Sequence, residues 1–239
     1  MTARDKMMNG SETTAGEGAK WKPIGRNERR VLGVLVEKAK TTPDQYPLTI
    51  SSLVAGSNQK SNRSPQMQLD DEDVTIALDN LKGVGAVREI QGSGRVNKYR
   101  HAAYEWLGVD AAGAAVMAEL LLRGPQTAGE LRARAARMHD FADLDGMVTL
   151  IDQLRTAGLV QALSPPGRGQ IFAHSLYPPD EQQYLGEKVS SSAETEPLRE
   201  HLGGGNAPDN RSEHDLRERV TRLETEVEEL KRRLDQLTS

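Results

Sequence analysis

Four cations, Arg88, Arg95, Lys98 and Arg100, fall within thirteen residues of one another. Lys98 and Arg100 share one face of an extended segment, because side chains alternate along a strand. A polar stretch at 57–65 adds Lys60 and Arg63, with Asn58, Gln59 and Asn62 as amide donors. Guanidinium, ammonium and amide groups are the usual partners of phosphate oxygens. The candidate nucleic-acid contacts are therefore Asn58, Lys60, Asn62, Arg63, Arg88, Arg95, Lys98 and Arg100. A solvated strand face with ordinary surface charge is the alternative for the 88–100 group.

Other chemistries find less support. The chain has no cysteine, which removes disulfides, thiolate zinc sites and cysteine nucleophiles. The five histidines, at 101, 139, 174, 201 and 214, show no ligand spacing among themselves or with carboxylates. Asp70-Asp71-Glu72-Asp73 is one helix start, a poor cage for Mg²⁺ and an ample cap. Gly83-x-Gly85 and Gly92-x-Gly94 are turns, not the strand-to-helix fingerprint of a phosphate loop. The expectation is a protein without catalytic activity, cofactor or metal.

The 239 residues carry a formal net charge of −4, unevenly spread. Residues 21–106 hold 13 Lys and Arg against 10 Asp and Glu, whereas 178–239 hold 9 against 15. No segment has the strong basic excess of a high-affinity nucleic-acid domain. No apolar run reaches the roughly 18–20 residues that span a bilayer. Residues 1–20 lack the apolar stretch of a secretion signal. A cytoplasmic location is expected.

The elements that must position the cations are written twice. Ala77-Leu78-Asp79-Asn80-Leu81-Lys82-Gly83-Val84-Gly85-Ala86-Val87 is echoed by Leu150-Ile151-Asp152-Gln153-Leu154-Arg155-Thr156-Ala157-Gly158-Leu159-Val160, 73 residues on. The same offset pairs Tyr99 with Phe172 and His101 with His174, and Leu48-Thr49 is echoed at Gln126-Thr127, 78 residues on. A fixed repeat of this kind sets the fold. Each copy reads as an apolar-periodic helix, a glycine, a strand, a turn and a second strand. In the first copy, helices are expected from Asn27 to about Lys40, from Thr49 to about Gly56, and after Asp70 or Asp71 with the stripe Val74, Ala77, Leu78, Leu81 and Val84. Strands follow at 86–91 and 96–100. In the second copy Thr127 with Glu130 forms a capping box, and Leu144, Met147, Ile151 and Leu154 carry the third helix.

After Pro178 the chain turns polar and rich in Gly, Ser and Pro, as a flexible linker does. Beyond it Leu216, Val220, Leu223, Val227, Leu230, Leu234 and Leu237 keep the a/d spacing of a coiled coil. Arg219 would face Glu224, and Glu226 would face Lys231, across a parallel dimer. A homodimer through this helix is expected; a single amphipathic helix docked on its own chain is the alternative.

Tyr46-Pro47-Leu48-Thr49, the run Asn58 to Pro65, and Arg95-Val96-Asn97-Lys98-Tyr99 together resemble the bacterial YceH-like family. So do Leu121 to Arg132 and Arg134-Ala135-Ala136-Arg137-Met138. The resemblance covers about residues 24–177 and implies two winged-helix domains in one chain. It implies little about activity, since that family is uncharacterised.

The expected fold class is mainly α with small β wings (α+β): two tandem winged-helix domains plus a C-terminal coiled-coil helix. The segments are a disordered 1–20, winged-helix domains at 21–106 and 107–177, a linker at 178–211 and a coiled-coil helix at 212–239. The expected function is binding of double-stranded DNA through the first wing and the 57–65 loop, in transcription regulation. The alternative is a protein-interaction scaffold. The third helices are acidic, with Asp70 to Asp73 and Asp79 in one and Asp140, Asp143, Asp145 and Asp152 in the other, which disfavours their use against phosphates. Arg132, Arg134 and Arg137 read as an arginine-coated amphipathic helix. A contiguous cationic face favours DNA; an apolar groove between the domains favours a protein partner.

Overall fold

The computed structural model describes residues 21–90 and 96–185. The N-terminal 1–20, the turn Gly92-Ser93-Gly94, the expected linker from residue 186 and the heptad helix lie outside the described residues.

The first copy builds α1 (Arg26–Thr41), a short 3₁₀ turn (Pro43–Gln45), α2 (Ile50–Ser57), α3 (Asp71–Gly83), β1 (Val87–Ile90) and β2 (Lys98–His101). A short helix, α4 (Ala103–Leu107), joins it to the second copy. That copy builds α5 (Ala111–Arg123), β3 (Gln126–Thr127), α6 (Ala128–Ala135), α7 (Leu144–Thr156), β4 (Val160–Ala162) and β5 (Ile171–His174). The protein is mixed: mostly helical with two small antiparallel sheets. No described helix is long and apolar enough to cross a membrane.

Local chemistry sets the helix ends. Thr49 caps α2 through the Ser52 N–H, and Asp70 with Asp73 forms a full capping box on α3. Thr127 with Glu130 forms another on α6. These satisfy amides that a helix start leaves unpaired and place carboxylates where the helix dipole favours them. Beyond α3 and α7 the chain reverses at Gly85 and Gly158, whose φ values of 80° and 73° suit a residue without Cβ.

The sheets repeat as well. β3 pairs with β5, Gln126 opposite Phe172, and β5 pairs with β4. In the first copy Leu48 bridges Tyr99 on β2, with backbone bonds of 3.1 and 2.8 Å, and β2 pairs with β1. The sequence echoes Leu48/Gln126 and Tyr99/Phe172 thus fall on equivalent pairing positions.

The core runs without a break through both copies. α1 and α5 lie at its centre, and each is buried all round over much of its length: residues 29–37 and 113–122. Apart from Glu119, that stretch of α5 is apolar on every side and belongs inside a core, while α1 buries Arg29, Arg30 and Glu37 together with its apolar residues. The close approach uses small residues. A Cβ on Gly33 would meet Leu122 Cγ at 2.9 Å. Two details depart from the sequence reading. Leu144 is exposed at the first turn of α7, leaving Met147, Ile151 and Leu154 as its buried stripe. Residues 179–185 are helical rather than the start of a linker, and Glu181 there pairs with Arg29.

Candidate nucleic-acid interface

The β1–β2 hairpin sets Arg88 directly opposite Arg100 and Ile90 opposite Lys98. Alternation puts Arg88, Arg100 and Lys98 on one face, and all three are exposed. Val87 and Tyr99 turn to the core on the other. Glu89, also on that other face, is held by Lys82 at 2.9 Å, and Lys82 in turn binds Asp79. Among the described residues neither Arg88, Lys98 nor Arg100 has an ion-pair partner. Like charges directly opposite on a strand pair repel, so this face is not built for stability. Arg95 lies outside the described residues.

The 57–65 loop is a different object. Lys60 is exposed. Asn58 instead clamps the chain ahead of α3: its Nδ2 donates to the Leu69 carbonyl at 2.7 Å, and its Oδ1 accepts the Leu69 N–H at 2.8 Å. Asn62, at a left-handed φ of 60°, accepts a hydrogen bond from Arg123 Nη2. Ser64 N–H donates to the Leu122 carbonyl at 2.9 Å. The loop is a strut between the first copy and α5.

Arg63 corrects the expectation of a surface cation. Its side chain is 0% exposed and forks onto Glu37, Nη2 to Oε2 at 2.5 Å and Nη1 to Oε1 at 3.2 Å. Its Nε donates to the Gly56 carbonyl, Nη1 to the Asn62 carbonyl and Nη2 to Gln59 Oε1. All five N–H groups of a guanidinium are thereby used. Asn58 and the Asn62 side-chain carbonyl oxygen are likewise engaged within the fold, and of the loop's candidate contacts Lys60 is the fully exposed one among the described residues.

Arg63 belongs to a buried junction. Glu37 on α1 and Glu119 on α5 are both sequestered from solvent, and Arg137, just past α6, bridges them. Its Nη1 donates to Glu37 and its Nη2 to Glu119 Oε2 at 2.9 Å. Arg123 Nε approaches Glu119 Oε1 at 2.6 Å, an ion pair outside hydrogen-bond geometry. Burial alone would push the Glu37 carboxyl up, but the hydrogen bonds and charge of Arg63, with Arg137 and Lys38, hold it below its usual value. Two carboxylates from two copies are thus neutralised by arginines from both. Spacing gives no hint of it, except that each glutamate interrupts an apolar run and precedes a proline by six residues: Glu37 to Pro43 and Glu119 to Pro125. Arg134 and Arg132 are also engaged, with Gln126 and Glu130, and with the Ala142 carbonyl.

The repeat-equivalent histidines end their strands alike. His101 Nδ1 accepts the Ala103 N–H and His174 Nδ1 accepts the Leu176 N–H, both at 3.2 Å. Burial lowers both pKa values, His101 to about 4 with help from the charge of Lys40, and His174 well below the usual imidazole value. Among the described residues no group of three His, Asp or Glu side chains is placed to hold a metal. The oligomerisation candidates Leu216, Val220, Leu223, Val227, Leu230, Leu234 and Leu237 lie outside the described residues.

Residues 24–168 match the family DUF480, described as a protein of unknown function. A UPF0502 protein of Rhodopirellula baltica is 63% identical over 182 residues, covering 76% of this chain and 77% of the relative. One from Geobacter sulfurreducens is 51% identical over 153 residues, covering 62% and 70%. One from an Acidovorax species is 39% identical over 229 residues, covering 92% and 94%. With most of its described core inside the matched span, this chain belongs to the DUF480/UPF0502 family of uncharacterised bacterial proteins.

Proposed function

We propose that this protein is a non-enzymatic tandem winged-helix protein that binds double-stranded DNA. The contact surface is the exposed face of the first hairpin, with the exposed Lys60 after α2 as a further candidate cation. The order helix, short strand or bridge, helix, helix, hairpin, found in both copies, supports the winged-helix reading. In such folds the hairpin can touch the DNA backbone or minor groove. The observation that carries the DNA reading is the juxtaposition of Arg88 and Arg100 on one exposed face without carboxylates. A polyanion relieves a repulsion that the fold leaves standing. The acidic starts of α3 and α7 keep those helices from the usual recognition role, so contacts are to the backbone and selectivity for sequence is weak. The heptad helix would join two chains and let two modest surfaces act together.

The test is fluorescence anisotropy of the full chain with labelled duplex DNA. With about four phosphate contacts per chain, raising salt from about 50 to about 200 mM costs on the order of a hundredfold in affinity. Arg88→Glu with Arg100→Glu abolishes binding and leaves the thermal unfolding midpoint in place. No binding at the lower salt sinks the proposal. Leu223→Asp with Leu230→Asp halves the mass seen by sedimentation, since the seam cannot bury charge; an unchanged mass removes the heptad from the dimer contact.

A protein-interaction scaffold is the second reading, and one observation favours it. The third helices expose apolar side chains among their acids, Ile76 on α3 and Leu144 and Val148 on α7, at 54%, 46% and 41%. Charge reversal on the hairpin leaves binding of a protein partner at that surface unchanged, which separates the two.

A further inference from the structure

Between the first turns of α1, the end of α5 and the segment after β5 lies a cleft of about 540 Å³. That volume is in the range of small-molecule sites, roughly 300–1,000 Å³. Its cations come from both copies: Arg26, Arg29, Arg30 and Arg123. Two of them are already answered. Arg29 pairs with Glu181 at 2.5 Å and lies over the Tyr177 ring, and Arg123 is held by Glu119 and Asn62. Arg26 and Arg30 have no carboxylate partner among the described residues.

Arg30 is the unusual one. It is 2% exposed, and its Nη1 and Nη2 donate only to the carbonyls of Ser57 and Pro65, at 2.8 and 2.7 Å. Its Nε is buried with no hydrogen-bond partner among the described residues. Buried charges are ordinarily paired, because carbonyl dipoles do not replace the lost hydration. Burial and the nearby charges of Arg63 and Arg26 drop its pKa to about 10, so the group strains against its own charge. The rest of the cleft is suited to an organic body. Pro65, Met67, Leu121 and Pro125 give an apolar wall. His174 also lines it; since Nδ1 accepts the Leu176 N–H, the neutral ring carries its proton on Nε2 as a donor.

We propose that this cleft binds a small organic anion, a carboxylate or phosphate group set against Arg30 and Arg26 and an apolar body against the Pro65–Leu121 wall. The anion completes the buried Arg30 and bridges the two copies, since the 64–67 wall belongs to the first and the α5 wall to the second. The site is separate from the hairpin cations and does not rest on DNA binding.

The experiment uses the full chain and anilinonaphthalene sulfonate, a fluorescent anion with an aromatic body. The expected result is a saturable fluorescence rise that either Arg26→Glu or Ser64→Glu weakens by about tenfold or more, as charge reversal at the mouth of a site should. Both side chains lie on the surface without a described hydrogen bond, and thermal unfolding checks that each variant folds. Benzoate and phenyl phosphate then compete for the probe, and the stronger competitor tells whether the site prefers a carboxylate or a phosphate. Unsaturable binding, unchanged affinity in both folded variants, or failure of both small anions to compete overturns the proposal. Displacement by duplex DNA but by neither small anion also overturns it, and assigns the cleft to a nucleic-acid surface.

Discussion

Arg63 sits at the junction of the two copies with all five N–H groups engaged, while Arg88 faces Arg100 across the hairpin with no ion pair among the described residues. The two arginines are separated by only 25 positions of the same mildly basic segment. One neutralises a carboxylate that would otherwise be stranded in the core; the other adds to a repulsion that the fold leaves uncompensated. The lesson is that charge alone does not mark a binding surface. What marks it is charge that the fold does not use. By that measure the junction cations Arg63, Arg123 and Arg137 are structural, and the hairpin cations are available to a partner.

The largest test of this division is at Glu37. Glu37→Ala leaves Arg63 and the Glu37-facing side of Arg137 buried without their carboxylate, which costs about 3–5 kcal/mol when read as the shift in urea unfolding free energy. Glu37→Gln keeps the shape and one acceptor and costs less, though it still leaves the guanidinium charges uncompensated. A loss below about 1 kcal/mol for Glu37→Ala, the size typical of a surface ion pair, breaks the comparison, because the junction would then behave as exposed charge does.

Much of the framework was readable because it is local. The capping box of Thr127 and Glu130, the Asp70 cap, and the reversals at Gly85 and Gly158 each depend on a few neighbouring residues, and the repeat placed the strands. The hairpin face followed from strand alternation alone. The junction was not readable, because Arg63 meets Glu37 across 26 positions and Arg137 meets it across 100. Polar residues in a loop look alike whether they face water or a buried acid, so sequence alone does not part Asn58, Asn62 and Arg63 from Lys60. The paired Glu-to-Pro spacings were the one available sign, visible only at a third repeat offset of 82 beside those of 73 and 78. Burial all round α5 was written in its run of Ala, Gly, Val and Leu, but a stripe-seeking reading passes over a helix with no polar side. Leu144 was the reverse case: helical spacing placed it on the stripe, yet the first turn of α7 overhangs solvent.

A middle-sized effect comes from charge that the fold excludes rather than uses. His101 and His174 are held neutral, with pKa values below the ordinary 6.5. Because the folded pKa is depressed, the unfolded chain binds more protons below pH 6.5, and stability falls as pH falls. For His101 the loss is complete near its folded value of about 4, and His174, likewise lowered by burial, contributes in the same direction. Glu37 contributes in the same direction only below its ordinary 4.5, since its own pKa is depressed beneath that value. Between about pH 6.5 and about 5 the decline therefore reports on the hairpin ends and not on the junction, at on the order of 1 kcal/mol per histidine by about pH 5.5. Urea midpoints at those pH values measure it, and His101→Asn, which keeps an acceptor for the Ala103 N–H, flattens the curve. An equally steep decline in that variant moves the titration elsewhere.

The smallest effect is the most discriminating, because stability and binding move in opposite directions. Arg88→Glu places an acid opposite Arg100 and exchanges a cross-strand repulsion for an attraction. Cross-strand charge pairs of this kind are worth roughly 0.2–1 kcal/mol, and at an exposed site salt screening holds the gain to the low end. The variant is therefore slightly more stable than the parent in low salt, while its affinity for duplex DNA falls. No junction substitution can produce that pairing of results, since removing Arg63 destabilises the core whatever it does to DNA. A variant that loses both stability and binding would show that Arg88 is part of the structure after all, and the distinction between used and unused charge would have to be drawn elsewhere on the molecule.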